Sequence, residues 1–200
     1  MNRFYKTIST LLHPTLVPTI TVFLYLILLP KLYDNSQKIA LLGLVFITTY
    51  LIPILIHLLF KKVVAHDRFK PGNINHRKIR VGLMIILFYL LAQTIASRTN
   101  ILEFSLLFYA TSGALTFVYL LFTYQINTSI HLLSLGLSAG FFIVLATVYN
   151  QNFLIVIIIN ILLAGLVATA RLSLREQKPL EIYLGFFLGF TAPFVAINFL

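Results

Sequence analysis

Three short stretches of this chain hold most of its side chains capable of chemistry. Between Ala170 and Gly185, the segment ARLSLREQKPLEIYLG sets Arg171, Arg175 and Lys178 beside Glu176 and Glu181, with an apolar run on either side. From Lys61 to Arg80 come seven Lys and Arg, including Lys70, Arg77 and Arg80, with His66 and His76 among them. The third stretch is TSIH, Thr128 to His131, which places Ser129 and His131 at the start of another apolar run. Three kinds of chemistry fit so many cations at the ends of apolar runs. They can fix topology, because cytoplasmic loops of membrane proteins are rich in Lys and Arg. They can attract anionic lipid headgroups. They can also cradle a phosphate, for which Arg and Lys are strong charge-assisted donors. Topology alone accounts less readily for Arg171, which stands at the very end of a span, than for the 61–80 cluster.

Membrane-spanning helices must position these residues. Apolar residues make up 60% of the 200 and charged ones only 10%, and the mean hydropathy is +0.97. Apolar runs of about 18 or more residues recur, long enough to cross a hydrocarbon core ~30 Å thick. Seven runs qualify: Leu11–Leu29, Ile39–Phe60, Val81–Ser97, Leu102–Tyr124, Ile130–Tyr149, Phe153–Ala170 and Leu180–Leu200. The third is short, and the turns at Arg98–Asn100 and Asn150–Gln151 are tight, so six spans with one half-span also fit. Backbone groups in lipid must be satisfied within the segment, and the alternation of a β-barrel strand is absent, so an all-α polytopic transmembrane bundle is expected. No stretch is long enough for a soluble core, and no linker or low-complexity tract interrupts the chain, so residues 1–200 read as one integral membrane domain. The absence of Cys excludes disulfides, thiolate catalysis and zinc–thiolate sites. The first run lacks an A-x-A pattern and is too long for a removable signal peptide, so it is expected to stay as a span.

Seven crossings put the N-terminus, the 61–80 loop, the 125–129 turn and the 171–179 loop on one face. Twelve of the 15 Lys and Arg fall there: Arg3, Lys6, Lys61, Lys62, Arg68, Lys70, Arg77, Lys78, Arg80, Arg171, Arg175 and Lys178. Lys31, Lys38 and Arg98 lie opposite. The three stretches therefore share a face. Gly136-x3-Gly140 and Gly185-x3-Gly189 put glycines on one side of the fifth and seventh runs, which permits close backbone contact between the helices that carry His131 and Glu181.

In order and spacing the three stretches resemble the motifs of the type 2 phosphatidic acid phosphatases, a superfamily that includes the lipid phosphate phosphatases and is similar at the active site to vanadium haloperoxidases. Those motifs run Lys-x6-Arg-Pro, Pro-Ser-Gly-His and Ser-Arg-x5-His-x3-Asp. Lys70 and Arg77 keep the first spacing, with Lys78 in place of the proline and Arg80 as an equally suitable phosphate-binding arginine. TSIH keeps Ser129 and His131 and replaces the proline and the glycine. In the last stretch Arg171 falls on the motif arginine, Ala170 on the serine, Gln177 on the nucleophilic histidine and Glu181 on the aspartate that orients it. Pro179 and Gly185 also stand where members often have them. The resemblance covers about residues 61–190 and none of the first two spans.

It implies a phosphate held by Lys70, Arg77, Arg80, Ser129, Arg171 and the start of the fifth helix, with His131 as the acid that protonates the leaving oxygen. The place of the nucleophile belongs to Gln177, with Glu181 as the orienting carboxylate. A carboxamide does not attack phosphorus as an imidazole does, and loss of an essential covalent nucleophile costs roughly 10⁶-fold in rate. The expectation is a catalytically impaired phosphoric monoester hydrolase, in a bacterial inner membrane, that binds an anionic lipid headgroup or an isoprenoid phosphate. No cofactor is implied, since no zinc, haem or dinucleotide motif occurs, and no nucleic acid partner. Positive-inside counting places the basic face in the cytoplasm, whereas bacterial members of the family usually work at the periplasmic face. Two alternatives stay open. One is an active phosphatase in which His76, or His66 beside Asp67, attacks. The other is a small transporter or flippase-like protein, suggested by His13 and His57 in or near spans and by Pro14, Pro18 and Pro53. Glu181 also suits a helix start, where the dipole stabilises a carboxylate, or a pair with Arg171.

Overall fold

The computed structural model describes residues 14–29, 34–55, 58, 74–98 and 102–199. These are helical throughout apart from short connections, with no strand among the described residues. Helix α1 is Val17–Leu28; α2 is Asn35–Phe46, carried on to Leu55 through a π-helical stretch, Ile47–Leu51; α3 is Ile74–Arg98. Then come α4 (Leu102–Thr123), α5 (Ile130–Tyr149), α6 (Leu154–Ser173) and α7 (Pro179–Ala196), closed by a 3-10 turn at Ile197–Phe199. Six of them, α2 to α7, are long and apolar enough to cross a membrane. Helix α1 has 12 residues, which rise only about 18 Å.

The boundaries follow from local chemistry. At the start of α2 the Asp34 N–H donates to the Gln37 side chain at 3.3 Å, half of a capping box. Helix α3 begins at Ile74, not at Val81 as the apolar run implied. The segment from Asn75 to Arg80 is too polar to count as lipid-facing yet contains no helix breaker, so the helix continues past the hydrocarbon. The expected first span, Leu11–Leu29, is helical from Val17, with Pro18 in the first turn where its missing N–H does no harm; residues 11–13 lie outside the described residues.

Helix α5 is the most buried of the crossing helices. On one side it packs against α7 through the four glycines. A Cβ on Gly136 or Gly140 would lie 2.3 Å from the carbonyl oxygen of Phe186 or Phe190, and one on Gly185 or Gly189 would lie 2.3 or 2.1 Å from that of Ser129 or Leu133. Main chain therefore rests directly on main chain, as small residues allow in membrane helix pairs. Across the same seam the Ser129 N–H donates to the Glu181 carbonyl at 2.9 Å. On the other side of α5 lies an aromatic core of Tyr25, Phe104, Phe108, Phe141 and Phe142, all fully buried, with Tyr25 edge-on to Phe104 at 4.7 Å. Hydroxyl pairs tie α1 in place: Thr21 with Ser138 at 2.9 Å, and Thr19 with Thr49 of α2 at 2.8 Å. The outer face of α6 exposes Ile155, Ile159, Leu162 and Leu166, a surface suited to lipid tails.

Candidate functional site

The end of α6 is set by a Schellman motif. The Glu176 N–H donates to the Arg171 carbonyl at 3.1 Å and the Arg175 N–H to the Leu172 carbonyl at 3.0 Å, with Arg175 left-handed at φ +53°. That motif brings the first and last of its residues side by side, a place more often filled by an apolar contact. Here the pair is Arg171 and Glu176, and they form a salt bridge through Nη1. Arg171 is 15% exposed and Glu176 47%. Gln177 follows in the turn, and Pro179 starts α7 after an extended Lys178.

The start of α5 comes to the same place. Ser129, fully buried with an extended backbone, caps the helix by accepting from the Leu132 N–H at 3.4 Å. His131 stands in the first turn, and Arg171 Nη2 lies 2.6 Å from its Nε2 and 3.2 Å from its Nδ1. Arginine has only donors, so the ring nitrogen that accepts carries no proton in this arrangement. The two side chains, forty residues apart in sequence, are in direct contact.

They meet on the wall of a cavity of about 310 Å³, lined also by Arg80 of α3 and Gln177. Farther in, its walls are Phe88, Leu107, Leu115 and Leu137, with the hydroxyls of Thr21, Thr111, Ser134 and Ser138. The step from His131 to Ser138 along α5 gives a depth of about 10 Å. The hydroxyls are satisfied close by: Thr111 donates to the Leu107 carbonyl at 2.7 Å, Ser134 to that of His131 at 2.9 Å, and Thr21 bonds Ser138. At the charged end two buried atoms have no hydrogen-bond partner among the described residues, Arg171 Nε and Gln177 Oε1. A buried polar atom left so costs about 1–3 kcal/mol. The cavity thus has one end of cations, a ring nitrogen and a carboxamide, and a deeper part of apolar walls with scattered hydroxyls.

Of the residues singled out in the sequence, Arg171, His131, Gln177 and Arg80 share this cavity. Ser129 and Glu181 are not among the residues that line it. The Ser129 hydroxyl is engaged in the helix cap. Glu181 sits in the first turn of α7, and its carboxylate does not pair with Arg171, which binds Glu176 instead. Arg77 belongs to α3 by its backbone; its side chain and those of His57 and His76, with Lys70, His66, Asp67 and His13, lie outside the described residues. Among the described residues no cluster of three or more metal-ligating side chains occurs.

Sequence reasoning missed the hydroxyls of Thr21 and Ser138 and the part that α1 plays in walling the cavity. It also missed the pairing of Glu176 with Arg171, whose only signal was a position five residues after Arg171 at a helix end. Comparison of the chain with protein-family models, with curated proteins and with solved structures gives no match.

Proposed function

We propose that this chain is a lipid-phosphatase-like membrane protein that binds an anionic lipid headgroup or an isoprenoid phosphate and is catalytically impaired. The observation that carries this reading is the contact of Arg171 with His131 at the charged end of a cavity whose depth is apolar. A phosphate fits the charged end. One of its oxygens takes the Nε and Nη2 edge of Arg171, which gives Nε, without a partner among the described residues, an acceptor and displaces the His131 ring from Nη2. The ring, once protonated, donates to the same group. Arg80 adds a second cation, and the start of α5 adds the partial positive charge of a helix N-terminus. The first methylenes of the lipid chain then lie against Phe88, Leu107 and Leu137.

The resemblance to the type 2 phosphatidic acid phosphatases supplies the reason for impairment. Where that family carries its nucleophile this chain has Gln177, whose amide can donate to or accept from a phosphate but does not form a bond to phosphorus. The carboxylate of Glu181, in the orienting position, is not part of the cavity wall.

The test uses purified protein in nanodiscs. Phosphate release from phosphatidic acid and from an isoprenyl diphosphate is expected to stay near the background rate, while delipidated protein retains anionic lipid in preference to phosphatidylcholine. Rapid turnover that persists in Gln177→Ala would overturn the impaired-enzyme reading. Equal retention of anionic and zwitterionic lipid would overturn the headgroup reading.

A further inference from the structure

We infer that Gln177 reads a hydroxyl on the ligand's headgroup, so that the cavity favours a phosphodiester with a headgroup hydroxyl, as in a phosphoglycerol, over one without. The inference rests on the headgroup reading above and decides between its candidate ligands. It starts from two atoms that the fold buries without a hydrogen-bond partner among the described residues, Arg171 Nε and Gln177 Oε1. Both residues line the cavity. The first atom is a donor and the second an acceptor. A fully ionised phosphate offers oxygens that accept and no proton to give, so it satisfies Nε and leaves Oε1 as it was. A ligand that satisfies both carries a hydrogen-bond donor beside its phosphate.

The place of Gln177 is fixed from both sides. Before it, the Glu176 N–H closes the Schellman turn on the Arg171 carbonyl; after it, an extended Lys178 leads into Pro179 and α7. The positive charge of Arg171 on the same cavity end attracts the carbonyl end of the amide dipole, which makes oxygen rather than NH2 the buried atom. Farther in, Ser134 spends its proton on the His131 carbonyl at 2.9 Å and so also has only lone pairs to offer. The donor that fits is uncharged. An ammonium would stand beside the Arg171 guanidinium, and among the described residues no carboxylate lines the cavity to offset the repulsion. A hydroxyl needs nothing but the acceptor.

The experiment titrates short-chain phosphatidylglycerol and short-chain phosphatidylmethanol into the full-length protein in zwitterionic micelles, by calorimetry. The two lipids carry the same single negative charge and differ in the headgroup hydroxyls. Wild type is expected to bind phosphatidylglycerol about fivefold more tightly, the scale of one neutral hydrogen bond. Gln177→Met keeps the length of the side chain and removes both polar atoms. It should bring the ratio of the two affinities close to one by weakening phosphatidylglycerol and leaving phosphatidylmethanol as it was, whereas a merely structural role would weaken both alike. Short-chain phosphatidylethanolamine should bind wild type no more tightly than phosphatidylmethanol. Equal wild-type affinities for phosphatidylglycerol and phosphatidylmethanol, which need no variant to observe, would overturn the role of Gln177. So would a preference that survives in Gln177→Met, or tighter binding of phosphatidylethanolamine than of phosphatidylglycerol. Binding of phosphatidylmethanol in any of these cases leaves the headgroup reading standing, and failure of wild type to bind either anionic lipid would overturn both.

Discussion

Substitution of Gly189 by alanine tests the frame that holds the cavity together. The added Cβ would lie 2.1 Å from the Leu133 carbonyl oxygen, where ordinary contact begins at 3.4 Å, a shortfall of about 1.3 Å. The obstacle is main chain, which cannot rotate aside as a side chain would, so α5 and α7 must separate by about 1 Å along their seam. A gap of that size forfeits a quarter to a half of the dispersion energy of the atoms facing it. Overpacking usually costs about 1–3 kcal/mol, and a backbone obstacle places Gly189→Ala near 3 kcal/mol. Gly113→Ala supplies the control. Nothing lies within 4 Å of a Cβ at Gly113, so the same substitution in mid-helix should stabilise by about 0.4–1 kcal/mol. The assay is thermal unfolding in detergent micelles, followed by loss of the monodisperse peak. Because the seam carries Ser129 and the first turn of α5, Gly189→Ala should also weaken retention of anionic lipid. Equal and same-sign shifts for the two variants would refute the reasoning.

Arg175→Gly should stabilise the protein by about 1 kcal/mol in the same unfolding assay, since it relieves an L side chain held at φ +53°; a loss of stability would mean that the turn does not require the left-handed region. Gln177→His should raise phosphate release from phosphatidic acid if the cavity is otherwise competent. A hundredfold gain, measured as inorganic phosphate against time, corresponds to about 2.7 kcal/mol of transition-state stabilisation. No gain at all would mean that His131 and Arg171 no longer form a working set.

The parts of the fold visible in the sequence are those written in short-range patterns. Helix α5 runs from Ile130 to Tyr149, the bounds of its apolar run, because a capping serine and a left-handed Asn150 close it at either end. The close seam of α5 and α7 was visible in the two glycine pairs, since nothing but hydrogen lets backbones touch in that way. Less visible was α3, whose first turn is polar and so fell below any hydropathy threshold while remaining a good helix. At the site, Arg171 and His131 were chosen for spacing and type and lie in contact. The pairing of Glu176 with Arg171 was not legible because it depends on a helix C-cap built on an arginine, where a glycine would have announced the turn. Thr21 and Ser138 escaped because hydroxyls within apolar runs usually bond their own helix, and only tertiary packing joins these two.

The central claim is that Arg171 holds a phosphate at the charged end of this cavity, and the most direct measurement is calorimetric titration of short-chain phosphatidylglycerol into wild type and Arg171→Ala in zwitterionic micelles. A charge-assisted hydrogen bond to a partly desolvated phosphate contributes about 1.5–3 kcal/mol, so the variant should bind about tenfold to a hundredfold more weakly. Arg171→Lys, which keeps the charge but not the planar fork, should fall between. Wild-type affinity in Arg171→Ala would contradict this and leave the arginine only its contacts with Glu176 and His131 and its charge at the end of the span.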